Sequence, residues 1–163
     1  FTKINIDEIK ISKSIKNSFD VLYNDSHLDI ITCDLYSPFK IERKFNDYFL
    51  NLQFRDYKNK KNIEEFLIFI SKLEQKFIKE LNINPHEFNS QIRESNSYDP
   101  ILYTKFIFKN DKCLTEIKNG EEFLNIFNIT NNFYCNCILN IDKIWLKNNK
   151  FYYKIKLKKI NII

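Results

Sequence analysis

Apolar residues alternate with polar ones in several segments of the chain, which is the spacing of β-strands with one buried face. The clearest case is residues 48–54, where every second side chain is Tyr, Leu, Leu or Phe. The same interpretation applies, with more irregularity, to residues 1–12 (with a bulge near Glu8), 28–35, 101–108, 113–117 and 133–146. Asn148 and Asn149 tolerate the positive φ of a two-residue hairpin turn, so we expect a final strand at residues 151–162.

Residues 62–81 follow the period of an amphipathic α-helix. Apolar side chains recur there every three or four positions and form one stripe; they are Ile63, Phe66, Leu67, Ile70, Leu73, Phe77, Ile78 and Leu81. Asn62 followed by Glu65 predicts an N-terminal cap. We therefore expect one long helix over about residues 62–82, then a loop or short second helix up to residue 99. Gly120 predicts a break before a helical turn at residues 121–126.

The order of these elements favours one fold class. Three strands, a long helix, two more strands and a closing hairpin do not alternate as strand and helix, which disfavours a parallel doubly wound sheet. A small antiparallel barrel with one packed helix fits the order, and the five-stranded OB barrel is a common binding form of that architecture. The sequence therefore predicts a mainly β, α+β chain that forms a single OB-like domain over residues 1–163.

The amino-acid composition excludes several kinds of functional site. The single glycine, Gly120, leaves no glycine-rich phosphate loop and no nucleophile elbow. No apolar run approaches 18 residues, so no membrane segment is expected. The chain holds 26 Ile, 23 Lys and 22 Asn but no Ala, a bias typical of A/T-rich codons that weakens any argument from lysine alone. No Met is present and residue 1 is Phe, so we expect the start codon to lie upstream.

Cysteine and histidine offer little for catalysis. Cys135 and Cys137 lie two apart in a predicted strand and share a face, but no second pair with zinc-ligand spacing accompanies them. We expect reduced core thiols, no metal, no cofactor and no secretion. His27 lies among three aspartates, which leaves a metal-dependent nuclease as an alternative (Asp25, Asp29 and Asp34). A turn at residues 24–27 is the favoured interpretation.

Positive charge collects at the end of the chain. Residues 143–163 contain seven lysines and no acid, so they carry +7, and the other residues carry −2 of the net +5. In the predicted last strand, Tyr152 and three lysines would lie on one face about 6.6 Å apart. Phosphates of an extended single strand have a similar spacing. The pattern indicates a nucleic-acid surface, and an edge strand protected by lysines is the alternative.

The candidate binding residues combine cations with aromatic rings on which bases stack. At the closing hairpin they are Trp145, Lys147, Lys150, Tyr152, Lys154, Lys156 and Lys158. A second group consists of Arg55, Tyr57, Lys58 and Lys105. We expect the lysines to follow phosphates and Tyr152 or Trp145 to stack on bases. No catalytic residues are expected.

Several short motifs occur in an order that resembles a known family. They are residues 23–28 (Tyr-Asn-Asp-Ser-His-Leu), 37–39 (Ser-Pro-Phe), 48–54, 98–102, 144–146 and 150–157. This order resembles the single-stranded-DNA-binding proteins of nucleocytoplasmic large DNA viruses, which are related to the OB-fold proteins of the same function in some phages. The resemblance covers residues 20–160.

The resemblance implies a viral protein that is not an enzyme and binds single-stranded DNA with little sequence preference. Its role would lie in replication, recombination or repair, in the host cytoplasm or nucleus or in the virion. Replication proteins as partners, RNA as a ligand and oligomerisation stay open. The main alternative is a virion or assembly protein whose barrel binds another protein, and the nuclease is the second alternative.

Overall fold

The computed structural model describes residues 1–130 and 132–163. The one α-helix, α1, spans Lys61–Glu80. The strands in chain order are β1 (Lys10–Lys13), β2 (Ser18–Tyr23), β3 (Ser26–Ile31), β4 (Leu35–Ser37), β5 (Glu42–Lys44), β6 (Asp47–Gln53), β7 (Phe88–Asn89), β8 (Ile92–Arg93), β9 (Ile101–Phe106), β10 (Phe108–Lys109), β11 (Lys112–Cys113), β12 (Glu116–Asn119), β13 (Glu122–Phe123), β14 (Phe133–Ile141), β15 (Lys143–Lys147), β16 (Lys150–Tyr153) and β17 (Lys156–Ile162).

Five strands close a barrel. β4 pairs with β6, β6 with β9, β9 with β17, β17 with β14, and β14 with β4; only the β9–β17 pair is parallel. β3 pairs with the other half of β14. The closed barrel and its single helix confirm the predicted OB-like α+β fold. Among the helices of the described residues, none has both the length and the apolar character needed to cross a membrane.

A second sheet extends from the barrel and carries the closing hairpin. Its strands run in the order β1, β2, β15, β16, β7, and β2 joins it to the barrel through β3. Asn148 and Asn149 have φ values of 52° and 58°, and Lys147 lies opposite Lys150. The predicted two-residue turn is therefore confirmed.

The barrel core follows the alternation of the strands. On β6, Leu50 and Leu52 are fully buried, while Phe49, Asn51 and Gln53 point outward. On β14, Cys135 and Cys137 both face the core, with their Sγ atoms 3.8 Å apart. These two thiols are core residues on one face, as predicted. Burial raises the pKa of the half-buried Cys33 thiol to about 11.

The helix packs its apolar stripe against the barrel, as predicted. Phe66 lies 5.9 Å from Phe54 at the end of β6, between ring centroids, and Phe77 lies 5.5 Å from Tyr153 of β16. The expected cap at Asn62 is wrong. A 3-10 turn at Tyr57–Asn59 runs directly into the helix, so Lys60 occupies the capping position without a side-chain hydrogen bond.

A buried carboxylate also fastens the helix to its surroundings. Glu74 Oε1 accepts hydrogen bonds from Tyr153 Oη at 2.5 Å and from the Gln91 backbone N–H at 2.8 Å. Its Oε2 accepts from Ser90 Oγ at 2.7 Å. Because β16 and the residues before β8 meet at this one carboxylate, the helix sets the position of both.

Three predicted elements near the amino end and in the middle of the chain need correction. The strand predicted over residues 1–12 contains instead a 3-10 turn, Ile6–Glu8, and a strand is present only at β1. The strand at residues 28–35 divides into β3 and β4, and between them the Thr32 hydroxyl accepts a hydrogen bond from the Cys137 N–H. The helical turn at residues 121–126 is wrong: β13 lies there, and the 3-10 turn follows at Ile126–Asn128.

The two long strands predicted near the carboxyl end are each divided in two. The first ends at Ile141 and β15 begins after Asp142; the second stops after Tyr153 and resumes at Lys156. In both cases the chain leaves one sheet and enters the other. Alternation continues across such a transfer, so the sequence pattern does not reveal it.

Candidate nucleic-acid interface

The outward residues of β4, β6 and β9 form one continuous surface. Tyr36 on β4 lies opposite Gln53 on β6, and the β6 residues Asn51 and Phe49 lie opposite β9. Side chains at these positions point away from the core because their neighbours along each strand are buried. We call this surface the outer face; its residues are Tyr36, Phe49, Asn51, Gln53, Tyr103 and Lys105.

The centre of the outer face is an aromatic pair covered by cations. The rings of Phe49 and Tyr103 stack at 4.6 Å with an interplanar angle of 12°. The Arg93 guanidinium lies 3.7 Å from the Tyr103 centroid, and Lys44 Nζ lies 5.3 Å from it. Tyr103 is only 9% exposed. A base would therefore meet the flat guanidinium of Arg93, which also offers hydrogen bonds to phosphate.

A second aromatic group continues the surface toward β14. Tyr134 pairs with Tyr36 across the two strands, and their ring centroids are 5.0 Å apart. Arg55 lies 4.5 Å above the Tyr36 ring, and Lys60 lies 5.9 Å from the Tyr134 ring. This group again combines rings with cations on the outside of the barrel.

At the other side, Asp47 joins the outer face to the closing hairpin. Its carboxylate lies 2.6 Å from Lys105 Nζ and 4.0 Å from Lys154 Nζ. Burial, and then the neighbouring Lys105 charge, lower the pKa of Lys154. Lys154 Nζ also lies 5.5 Å from the Trp145 ring, which stacks on Tyr152 at 6.1 Å. The aromatic pair of the hairpin therefore adjoins the outer face.

The structure brings several of the predicted binding residues together. Lys105 and Lys154 share Asp47, Lys154 lies over the ring of Trp145, and Trp145 stacks on Tyr152. Lys156 lies opposite Lys105 in the β9–β17 pair, and Arg55 stacks at the far side of the outer face. Tyr57 and Lys58 line a cavity of about 760 Å³ together with the loop before β9.

Two predicted lysines stand apart at the tip of the closing hairpin. Lys147 and Lys150 are exposed there and lie opposite each other in the β15–β16 pair. Across residues 1–130 and 132–163, neither has an acidic partner within 4.0 Å. Their binding roles stay predictions.

The predicted row of lysines on one strand is wrong. The chain changes sheets between Tyr153 and Lys156, and a bulge in the β14–β17 pair falls at Lys158, so the even spacing is lost. The lysines are also not unopposed. Lys156 binds Asp142, and Lys158 binds Asp29. The contribution of these two lysines to binding stays a prediction, now without the geometry that suggested it.

The sequence interpretation missed residues that the fold places at the site. Tyr36 and Arg93 belong to the ring–cation groups. Arg93 also lines a cavity of about 430 Å³ together with Phe39, Asn51, Tyr98 and others. One signal was available. The chain has three arginines against 23 lysines. Each of the three lies over a tyrosine ring: Arg43 over Tyr48, Arg55 over Tyr36, and Arg93 over Tyr103.

The nuclease alternative has no support from the geometry. Within the part of the chain that the structure describes, no three His, Cys, Asp or Glu side chains form a group that could hold a metal ion. His27 lies exposed on β3, directly after a turn in which Asn24 and Asp25 have φ values of 51° and 58°. That turn is the interpretation favoured by the sequence.

No protein-family model matches the chain, and no curated protein sequence does. Solved structures of bacteriophage proteins do match its fold. One is the single-stranded DNA-binding protein from bacteriophage Enc34 in complex with ssDNA. The match spans 96% of this chain and 96% of the phage chain, with a TM-score of 0.57 and 12% sequence identity. Its C-terminal truncation covers 96% of this chain and 93% of its own, with a TM-score of 0.56 and 13% identity.

A second phage protein shows the same likeness. Gp2.5, a single-stranded DNA-binding protein encoded by bacteriophage T7, covers 84% of this chain and 86% of its own, with a TM-score of 0.50 and 9% identity. At such identities the likeness establishes the fold, which is the phage-type fold implied by the sequence resemblance. Membership of the family from large DNA viruses stays a prediction.

Proposed function

We propose that this protein binds single-stranded DNA without strong sequence preference and catalyses no reaction. The observation that carries the proposal is the pairing of cations with aromatic rings across one continuous surface, the outer face and its two extensions. Rings and guanidinium planes stack on any base, and cations neutralise phosphates, so together they bind a strand with little regard for sequence. The phage structure solved with ssDNA supports this choice of ligand.

The strand would run across the barrel in one direction. It would pass the group of Tyr36, Tyr134 and Arg55, then Phe49 with Arg93, and then the hairpin pair Trp145 and Tyr152. Bases would stack on the exposed rings and on the guanidinium planes, and phosphates would approach the lysines between these groups. A role in viral replication, recombination or repair, within the host cell or the virion, is part of the proposal on the strength of the sequence resemblance.

Fluorescence anisotropy with labelled oligonucleotides tests the proposal. A single strand, its duplex and an RNA of the same sequence would be titrated at several salt concentrations, with Mg²⁺ or with a chelator. We expect the single strand to bind at least about tenfold more tightly than the duplex, with affinity falling as salt rises. Equal affinity for both DNA forms would contradict the proposal, and so would cleavage of the strand when Mg²⁺ is added.

One observation favours a second function, contact with another protein. Three large apolar side chains are at least half exposed within a short segment outside the barrel strands: Leu114, Phe123 and Phe127. Such residues in one region are typical of protein contacts. The partner tested here is a second copy of this chain: Phe127→Lys should lower the mass of the assembly in solution while leaving the affinity for single-stranded DNA unchanged.

A further inference from the structure

Phe45 is the most exposed large apolar side chain that the structure describes. Its relative exposure is 98%, and the next values are 78% for Ile15 and 71% for Phe127. It occupies the two-residue turn between β5 and β6, where Lys44 lies opposite Asp47. Burial therefore does not explain why a phenylalanine stands here.

Backbone conformation does not explain it either. Phe45 has a φ of 55°, in the left-handed region that bulky side chains disfavour. Every other positive-φ residue of the described chain is one that tolerates this region: Asn17, Asn24, Asp25, Asp56, Asn82, Asn110, Asp111, Gly120, Asn132, Asn148 and Asn149. The turn thus holds a strained phenylalanine where asparagine or glycine would fold more easily.

The hairpin holds this ring away from the protein. β5 and β6 pair over three residues on each strand, and Arg43 Nε donates a hydrogen bond to the Phe45 carbonyl oxygen at 3.3 Å. The Arg43 guanidinium lies over Tyr48 at 5.6 Å, which fixes it from the other side. In the described part of the molecule, no aromatic ring stacks on Phe45, so both of its faces are free.

The surroundings of the tip are those of the outer face. Lys44 precedes Phe45, lies over the Tyr103 ring and forms an ion pair with Glu42 at 3.0 Å, which a phosphate would have to replace. Asp47 begins β6 beside Lys105 and Lys154. Phe49 and Tyr103 already stack on each other, whereas the ring of Phe45 is unpaired. A ring with two free faces beside a row of cations has the chemistry to enter a stack of bases.

We infer that Phe45 inserts between two successive bases of the bound single strand and unstacks them, while Lys44 neutralises an adjacent phosphate. The inference rests on the proposed function and adds a ligand contact at the hairpin tip. Insertion covers both faces of a ring that is otherwise in water. The resulting gain in binding free energy explains why a strained phenylalanine stands in the turn. A protein partner for the same ring is the competing explanation.

The replacement Phe45→Asn should affect the stability of the fold and the affinity for DNA in opposite directions. Asparagine suits the left-handed turn, so the melting temperature should rise by about 2–4 °C. Loss of one stacking contact should weaken binding of a single-stranded oligonucleotide by about fivefold or more. Phe45→Trp should keep the affinity, and bases should quench the fluorescence of the new indole. Phe123→Asn, which removes another exposed phenylalanine, is the matched control and should leave binding unchanged.

The position of the inserted ring is read with 2-aminopurine in the oligonucleotide, because this base brightens when it is unstacked. We expect brightening with the parent protein and little with Phe45→Asn. Unchanged affinity and brightening in Phe45→Asn would overturn the inference and leave the proposed function intact. A change of mass in solution without loss of DNA affinity would assign the ring to a second protein copy, which also overturns it. If the parent protein binds no single strand, the proposed function itself fails and takes the inference with it.

Discussion

Asp47 is the acidic residue at the positive side of the interface, and its replacement by Asn tests where the DNA runs. The carboxylate is the shared counterion of Lys105 and Lys154, at 2.6 and 4.0 Å. A phosphate bound at these two lysines would compete with it. Removing the negative charge while keeping the shape of the side chain should therefore strengthen DNA binding.

The size of the effect follows from simple electrostatics. A phosphate about 7 Å from the carboxylate is repelled by about 0.6 kcal/mol in water, and by more where the dielectric constant is lower. Asp47→Asn should thus bind single-stranded DNA about three- to tenfold more tightly at low salt. Two lysines become available for phosphate, so the slope of log affinity against log salt should steepen by up to about 1.4. Because the ion pairs are partly exposed, stability should change by no more than about 1 kcal/mol.

Asp29→Asn is the matched control, because it changes the net charge equally. Asp29 lies on β3, which β14 and β17 separate from β9 of the outer face, and it binds Lys158. Anisotropy titrations of both variants at several salt concentrations give affinity and slope, and thermal melting confirms folding. Only Asp47→Asn should gain affinity. An equal gain from Asp29→Asn would refute the assignment of the outer face and show that net charge, or the lysines of β17, governs binding.

Three further results are expected. Trp145→Ala should lower the affinity for single-stranded DNA by about 1–3 kcal/mol without changing the salt slope, since stacking releases no ions; anisotropy measures both. Phe66→Ala should lower the free energy of unfolding by about 3–5 kcal/mol in urea titrations, because this fully buried ring packs on Phe54. Burial and the Glu74 charge raise the pKa of Tyr153 above its usual 10.0, so the folded protein holds this proton more tightly than the unfolded chain. The contribution of this proton to the free energy of unfolding should be complete below about pH 10 and should decrease above it. In urea titrations from pH 8 to 11, Tyr153→Phe should therefore show a smaller loss of stability with rising pH than the parent protein.

Much of the fold could be predicted because several helices, strands and turns have a recognisable pattern within their own residues. β6 alternates buried leucines with outward residues, β9 keeps one face buried, and α1 keeps one apolar stripe over 20 residues. The Asn148–Asn149 turn needs only residues that accept positive φ. In each case the pattern depends only on residues that are close together in the sequence, and hydrophobic periodicity detects such patterns.

The lysine row could not be predicted correctly because its geometry depends on distant residues. Asp29 and Glu116, which bind Lys158 and Lys159, lie far from the last strand in the sequence. The bulge at Lys158 arises from the pairing of β17 with β14. A segment with a charge of +7 in the sequence is thus largely compensated once the barrel closes, and local charge density overestimates the field that a ligand meets.

Arginine marks the site better than lysine density does in this chain. Each of the three arginines lies over a tyrosine, and two of those rings, Tyr36 and Tyr103, belong to the outer face. A guanidinium is planar, so it can cover a ring on one side and accept a base on the other, whereas an ammonium group has no such plane. Lysines also lie over rings of this surface, such as Lys44 over Tyr103, but they offer no second flat face to a base. The few arginines that an A/T-rich codon bias leaves are the residues to examine first for stacking with nucleic acid.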